Sequence, residues 1–192
     1  MTPKSLDVDD IERLLRSAAD RPVEVDSVGD GAGQSGVLAH SHLDHALQTA
    51  AVLQRERPGD DELAVAGLVH DIGHLLDGVG DGEHAEAGAA AVREALGERV
   101  AGLVGRHVEA KRYLVASEAT YGAELAADSV ASLVRQGGPM SSDERAAFEA
   151  TRWADDALVL RRADENAKVE GLALDDLDGW MAVVRRVASR AG

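Results

Sequence analysis

Aromatic side chains are almost absent from this chain: two Trp, two Tyr and one Phe among 192 residues, against a hydrophobic share of 45%. The core must therefore be made of Ala, Val and Leu. Such small groups fill space when backbones come close together, which suits packed helices better than two stacked sheets. No strand-like alternation of any length interrupts the pattern. The expectation is an all-α fold, a bundle of about six to eight helices forming a single domain over residues 1–192.

Helical periodicity is read over residues 5–20, 37–57, 60–76, 84–96, 98–115, 117–135, 142–169 and 175–190. Residues 21–36 hold Pro22 and Gly29, Gly31, Gly33 and Gly36, a composition that cannot sustain a helix. They read as a mobile lid loop.

Charge and composition exclude several function classes. With 20 Lys+Arg against 35 Asp+Glu, the net charge of −15 is the wrong sign for nucleic-acid phosphates. No apolar run reaches the ~20 residues of a membrane span, and no apolar signal core follows the first residues, so a cytoplasmic protein is expected. Without Cys there is no thiolate site, and any metal must be held by imidazole and carboxylate.

The strongest local signal is His70-Asp71-Ile72-Gly73-His74, at the end of the apolar stretch Leu63 to Val69. Neighbouring residues on a helix project about 100° apart, so His70 and Asp71 reach one ion only if other ligands converge from other helices. His45, His84, His107 and Asp164 are candidates on the surrounding segments. Nitrogen and oxygen donors without sulfur suit iron, manganese, zinc or nickel. A zinc-protease reading fails, because the His-x-x-x-His lacks the Glu that would activate water.

His45, the His70-Asp71 pair and the distant Asp164 resemble the ligand pattern of the HD-domain metalloproteins. His45-Ala46-Leu47-Gln48-Thr49-Ala50, His74-Leu75-Leu76, His84 with Glu86 and Gly88, His107 followed by Ala110-Lys111-Arg112-Tyr113-Leu114, Gln136-Gly137-Gly138-Pro139-Met140 and Leu160-Arg161-Arg162 resemble one branch of that family. It comprises the mixed-valence diiron oxygenases that oxidise and cleave organophosphonates, with myo-inositol oxygenase more distant. The resemblance implies two irons, with His45, His70 and Asp164 on one, His84 and His107 on the other, and Asp71 between them. A carboxylate can bridge two close cations as imidazole cannot. It further implies O2 as co-substrate and a small anionic phosphonate held by His74, Lys111, Ser129, Ser132 and Arg161, a donor set suited to a tetrahedral dianion.

The likeness breaks upstream of His45. Amino-phosphonate members carry a Tyr-x-x-Glu pattern whose places here fall at Ser35 and Leu38, and neither residue can cap an iron or pair an ammonium. Gln34, His40 or His42 could take over, or the substrate lacks the amine; His40 and His42 are themselves expected on the surface or lid. The rival expectation is an HD-type phosphohydrolase acting on a nucleotide or phosphate monoester. Residues 77–83 read as an acidic turn rather than a calcium loop, Trp153 and Trp180 as helix-packing anchors, and Glu56, Asp60, Asp61 and Glu62 as a solvated helix junction.

Overall fold

The computed structural model describes residues 4–21, 41–167 and 176–191. Among them the regular elements are helical: α1 (Val8–Ser17), a 3-10 turn (Ala18–Asp20), α2 (His42–Glu56), α3 (Asp61–Val69), a second 3-10 turn (Ile72–Leu75), α4 (His84–Ser117), α5 (Ala119–Glu124), α6 (Ala127–Arg135), α7 (Ser142–Glu149), α8 (Ala154–Asn166) and α9 (Leu177–Ala191). No helix among the described residues is long and apolar enough to cross a membrane.

Local chemistry starts these helices. Asp7 caps α1, accepting from the Asp10 N–H at 2.7 Å. Ser41 and Asp44 form a reciprocal capping box on α2, and Asp60 caps α3. The Arg21 carbonyl accepts from the His42 N–H at 2.9 Å, so the chain flanking residues 22–40 meets there. The expected lid falls in that segment and, apart from Arg21, lies outside the described residues.

α2, α3, α4 and α8 pack on one another around a core rich in Ala, Val and Leu, with Trp180 and Met181 of α9 closing one side. Every α3 residue from Leu63 to Val69 is buried, so this helix is apolar all round and delivers His70 into the interior. The 3-10 turn then crosses the start of α4 so closely that a Cβ on Gly73 would lie 1.9 Å from the His84 carbonyl oxygen. Only glycine permits this crossing, which sets His70-Asp71 against His84.

Several expected long helices are broken. The stretch 60–76 leaves the α-helix after Val69. The stretch 117–135 divides into α5 and α6 through extended backbone at Leu125 and Ala126, and the stretch 142–169 into α7 and α8 at a left-handed Trp153, φ 66°. In the last case the indole packs against Gly102 of α4 with the Arg152 guanidinium 4.4 Å from its centroid, and this packing offsets the ~1–3 kcal/mol that such backbone strain costs. The junction at 84–115 falls where expected: Gly97 (φ 84°) is the non-helical residue inside α4.

The supposed solvated junction is a tether. Asp60 accepts from both terminal nitrogens of Arg99 at 2.6 and 2.7 Å, and Arg99 also reaches Glu62 at 3.2 Å and Asp156 at 2.9 Å. Asp61 pairs with Arg186 at 2.9 Å. α3 is thereby tied to α4, α8 and α9, while Glu56 stays exposed.

Gly73→Ala should destabilise the protein by about 3 kcal/mol or more, a fall in Tm of roughly 6–12 °C for a chain of this length. Gly82→Ala, where a Cβ meets nothing within 4 Å, should leave Tm nearly unchanged in the same melts.

Candidate metal centre and anion pocket

Four imidazoles from α2, the end of α3 and α4 converge with two carboxylates. His45 contributes from α2, His70 and Asp71 from the turn after α3, His84 and His107 from α4, and Asp164 from α8. The ligand atoms of His45, His70 and Asp71 lie within 4.8 Å of one another, and so do those of Asp71, His84 and His107. Asp71 is common to both trios. Its Oδ2 stands 3.3 Å from His70 Nε2 and 4.0 Å from His45 Nε2, while its Oδ1 stands 3.7 Å from His84 Nε2 and 3.5 Å from His107 Nε2. Asp164 Oδ1 lies 3.1 Å from His45 Nε2 and 3.8 Å from His70 Nε2.

The orientation of each ring is set by the main chain. Nδ1 of His45 donates to the Ala167 carbonyl at 3.2 Å, that of His70 to Gly67 at 2.8 Å, that of His84 to Asp81, and that of His107 to Val104 at 2.7 Å. A carbonyl can only accept, so each Nδ1 carries a proton and each ring turns its Nε2 inward, where it offers a lone pair whenever the ring is neutral. His84 Nε2 and His107 Nε2 face each other at 3.0 Å, and His70 Nε2 is buried without a hydrogen-bond partner among the described residues. Lone pairs and carboxylate oxygens therefore point at common centres, an arrangement that fits metal cations.

The electrostatics agree. Burial opposes charge on His70, yet Asp71 and Asp164 outweigh it and hold the imidazole up at about 9. The two carboxylates beside it thus favour positive charge at that nitrogen, which a proton or a metal ion can supply. Burial pushes Asp164 up, but the Arg161 charge and the His45 hydrogen bond bring it well below the usual carboxylate range. Burial, reinforced by His84, holds His107 well below the ordinary imidazole range.

The expected substrate residues gather beside this cluster. Lys111, one turn after His107, is buried and donates from Nζ to Ser132 Oγ at 2.8 Å. Arg161 is buried too, so neither is the solvated surface charge that its residue type alone suggests. Arg161 donates from Nε to Tyr121 Oη at 2.8 Å, from Nη1 to Asp164, and from Nη2 to Ser129 Oγ at 3.2 Å and to Glu165. Four of the five guanidinium N–H groups are thereby committed. Ser129 in turn donates to Glu165 at 3.0 Å. Lys111 and Ser132 therefore offer more capacity for an incoming anion than Arg161 and Ser129, which brace Asp164. His74 stacks on His84 with centroids 3.9 Å apart.

Three neighbours went unforeseen. Asp81, read as part of an acidic turn, supplies the carbonyl for His84, places its carboxylate 3.8 Å from His74 Nε2, and accepts from Arg135 Nε at 2.7 Å. Its position three residues before His84 was the available signal. Glu165 lies one turn after Arg161, a legible pairing, whereas Tyr121, forty residues away, carried no local signal. His42 departs from the expected surface or lid position: it is half-buried, with its ring 6.0 Å from that of His74 and tilted 39°. Burial pushes it below the ordinary imidazole range. Gln34, Ser35, Leu38 and His40 lie outside the described residues.

Comparison with known proteins bears on this centre. Residues 41–164 match the HD domain family. The chain is 37% identical over 149 residues, 73% of its length and 74% of the relative's, to the hydroxymethylphosphonate dioxygenase of Gimesia maris. It is 32% identical over 155 residues, 77% of its length and 79% of the relative's, to the [1-hydroxy-2-(trimethylamino)ethyl]phosphonate dioxygenase (glycine-betaine-forming) of Leisingera caerulea.

Burial, with Arg161 nearby, lowers the Lys111 ammonium to about 8, so its charge is present below that pH and lost above it. Affinity for sulfate, whose own charge is constant over this range, should fall as pH rises through about 8, approaching tenfold per pH unit when followed by titration calorimetry. Lys111→Arg should keep binding level to higher pH, and Lys111→Met should remove the pH-dependent limb.

Proposed function

Because the chain belongs to the HD-domain family, in the branch that includes phosphonate dioxygenases, we propose that it is an iron-dependent oxygenase. It uses O2 to oxidise C1 of a small 1-hydroxyphosphonate and cleaves the C–P bond to release phosphate. The observation that carries this reading is the pairing of two ligand trios sharing Asp71 with the buried Lys111–Ser132 pair. His45, His70 and Asp164 would hold one iron, His84 and His107 the other, and Asp71 would contact both. Bound there, the metal pair supplies O2 activation and Lewis acidity.

The chain's own residues do the remaining work. Lys111 and Ser132 hold a phosphonate oxygen close to Asp71, and His74 flanks the substrate from the His84 side. Arg161 keeps Asp164 ionised and aimed at the centre, with Tyr121 and Glu165 fixing the guanidinium. The low-polarity helical packing behind the ligands excludes bulk water. A 1-hydroxyphosphonate plus O2 balances to a carboxylic acid plus phosphate with no outside reductant: the C1–H and C–P bonds break, and one oxygen atom joins carbon while the other joins phosphorus. With Ser35 and Leu38 at the Tyr and Glu places, a substrate ammonium would lack a dedicated counter-charge, so a neutral or one-carbon chain is preferred over an amino-substituted one.

Protein reconstituted anaerobically should hold close to two irons. Asp71→Ala should lose both, and His84→Ala mainly one, as measured by metal analysis and by Mössbauer spectra of 57Fe-loaded protein. An oxygen electrode should record O2 uptake with a hydroxylated phosphonate, matched by phosphate release. A single tightly held metal unaffected by His84→Ala, or release of phosphate from a monoester without O2 uptake, would overturn this reading in favour of a hydrolase.

A further inference from the structure

His42 stands on the first turn of α2, three residues before the ligand His45, and residues at that spacing share a helix face. Its Nδ1 has no hydrogen-bond partner among the described residues. A buried ring nitrogen left unbonded is costly, and natural sites supply a partner from protein, water or ligand. The neighbouring groups show which side a ligand reaches. Among the cluster's carboxylates and rings, the Asp71 and His74 side chains keep 28% and 27% of their exposure, whereas those of His45, His70, His84, His107 and Asp164 are below 10%. The accessible edge of the cluster is therefore that of Asp71 and His74, and the His42 ring lies beside it, 6.0 Å from His74.

Building on the oxygenase reading above, we propose that His42 is a substrate-binding residue whose Nδ1 hydrogen-bonds the hydroxyl on C1 of a small phosphonate, the anionic end of which lies at Lys111 and Ser132. A hydroxyl both donates and accepts, so it satisfies Nδ1 in either tautomer of the ring, whereas a phosphonate oxygen satisfies only one. A neutral imidazole carries no counter-charge for an ammonium. His42 therefore selects for hydroxylation at C1 and not for an amino tail, which sets this chain apart from a carboxylate-bearing site.

The test is calorimetric binding of hydroxymethylphosphonate and of methylphosphonate, which lacks the hydroxyl, to iron-loaded protein without O2. Wild type should bind the hydroxylated compound more tightly. His42→Ala should weaken that compound about tenfold, the loss of one hydrogen bond, and methylphosphonate less than about twofold. His42→Asn, whose amide falls near the place of Nδ1, should recover most of the loss, and His42→Gln, which reaches toward Nε2, should not. Iron content and Tm of the Asn and Gln variants report on folding. Equal losses for both ligands, no loss, or a wild type that does not favour the hydroxylated ligand would overturn the assignment. O2 uptake by wild type is scored separately: selective binding lost in His42→Ala without O2 uptake would keep His42 and sink the oxygenase reading.

Discussion

The two oxygens of Asp71 face different pairs of imidazoles, and the rest of the molecule is arranged around that division. A carboxylate with four imidazoles drawn up around it is held best when positive charge lies on both sides of it. His45 and His70 stand at one oxygen, His84 and His107 at the other. Metal ions can meet this demand, because all four rings give their Nδ1 proton to a main-chain carbonyl and turn Nε2 toward the carboxylates. The carbonyls that orient the rings come largely from the same helices or turns as the histidines, so the secondary structure itself fixes which nitrogen points inward.

Holding this polar cluster inside a small bundle requires close helix packing, and the shortage of aromatic residues serves that end. Ala and Gly at the crossings of α2, α3 and α4 let backbones approach, most tightly where Gly73 passes the start of α4. Farther out, Arg99 gathers Asp60, Glu62 and Asp156 and joins α3 to α4 and α8. Arg99 is 21% exposed, so each of these pairs is partly screened and modest in energy. Their value lies in fixing how the ligand-bearing helices lie against one another.

The anion pocket follows from the same economy of buried charge. Arg161 is surrounded by Asp164, Glu165, Tyr121 and Ser129 and acts mainly on the candidate ligand Asp164. Lys111 lacks such a company of partners among the described residues, and its ammonium is weakened by burial. An entering phosphonate dianion would restore what burial takes away. In the proposed pocket a strongly acidic protein would take an acidic substrate because the local field at the cluster outweighs the net charge of −15.

The sequence by itself determined the helical class, through apolar periodicity and the scarcity of aromatic side chains, and pointed to the six candidate ligands, because donor chemistry and short motifs such as His70-Asp71 are local properties. The breaks at Leu125 and at Trp153 were illegible, since no proline or run of glycine marks either, and the contacts made there are to distant residues: the Ala126 N–H donates to Glu165 and the Trp153 indole packs on Gly102. The half-burial of His42, the part played by Asp81, and the commitment of Arg161 to Tyr121 were decided only by tertiary structure. Each arises where residues 3 to 54 positions apart in sequence meet in a space shared by several helices, and spacing along one chain carries no record of which polar atoms such a space leaves paired and which it leaves open to a ligand.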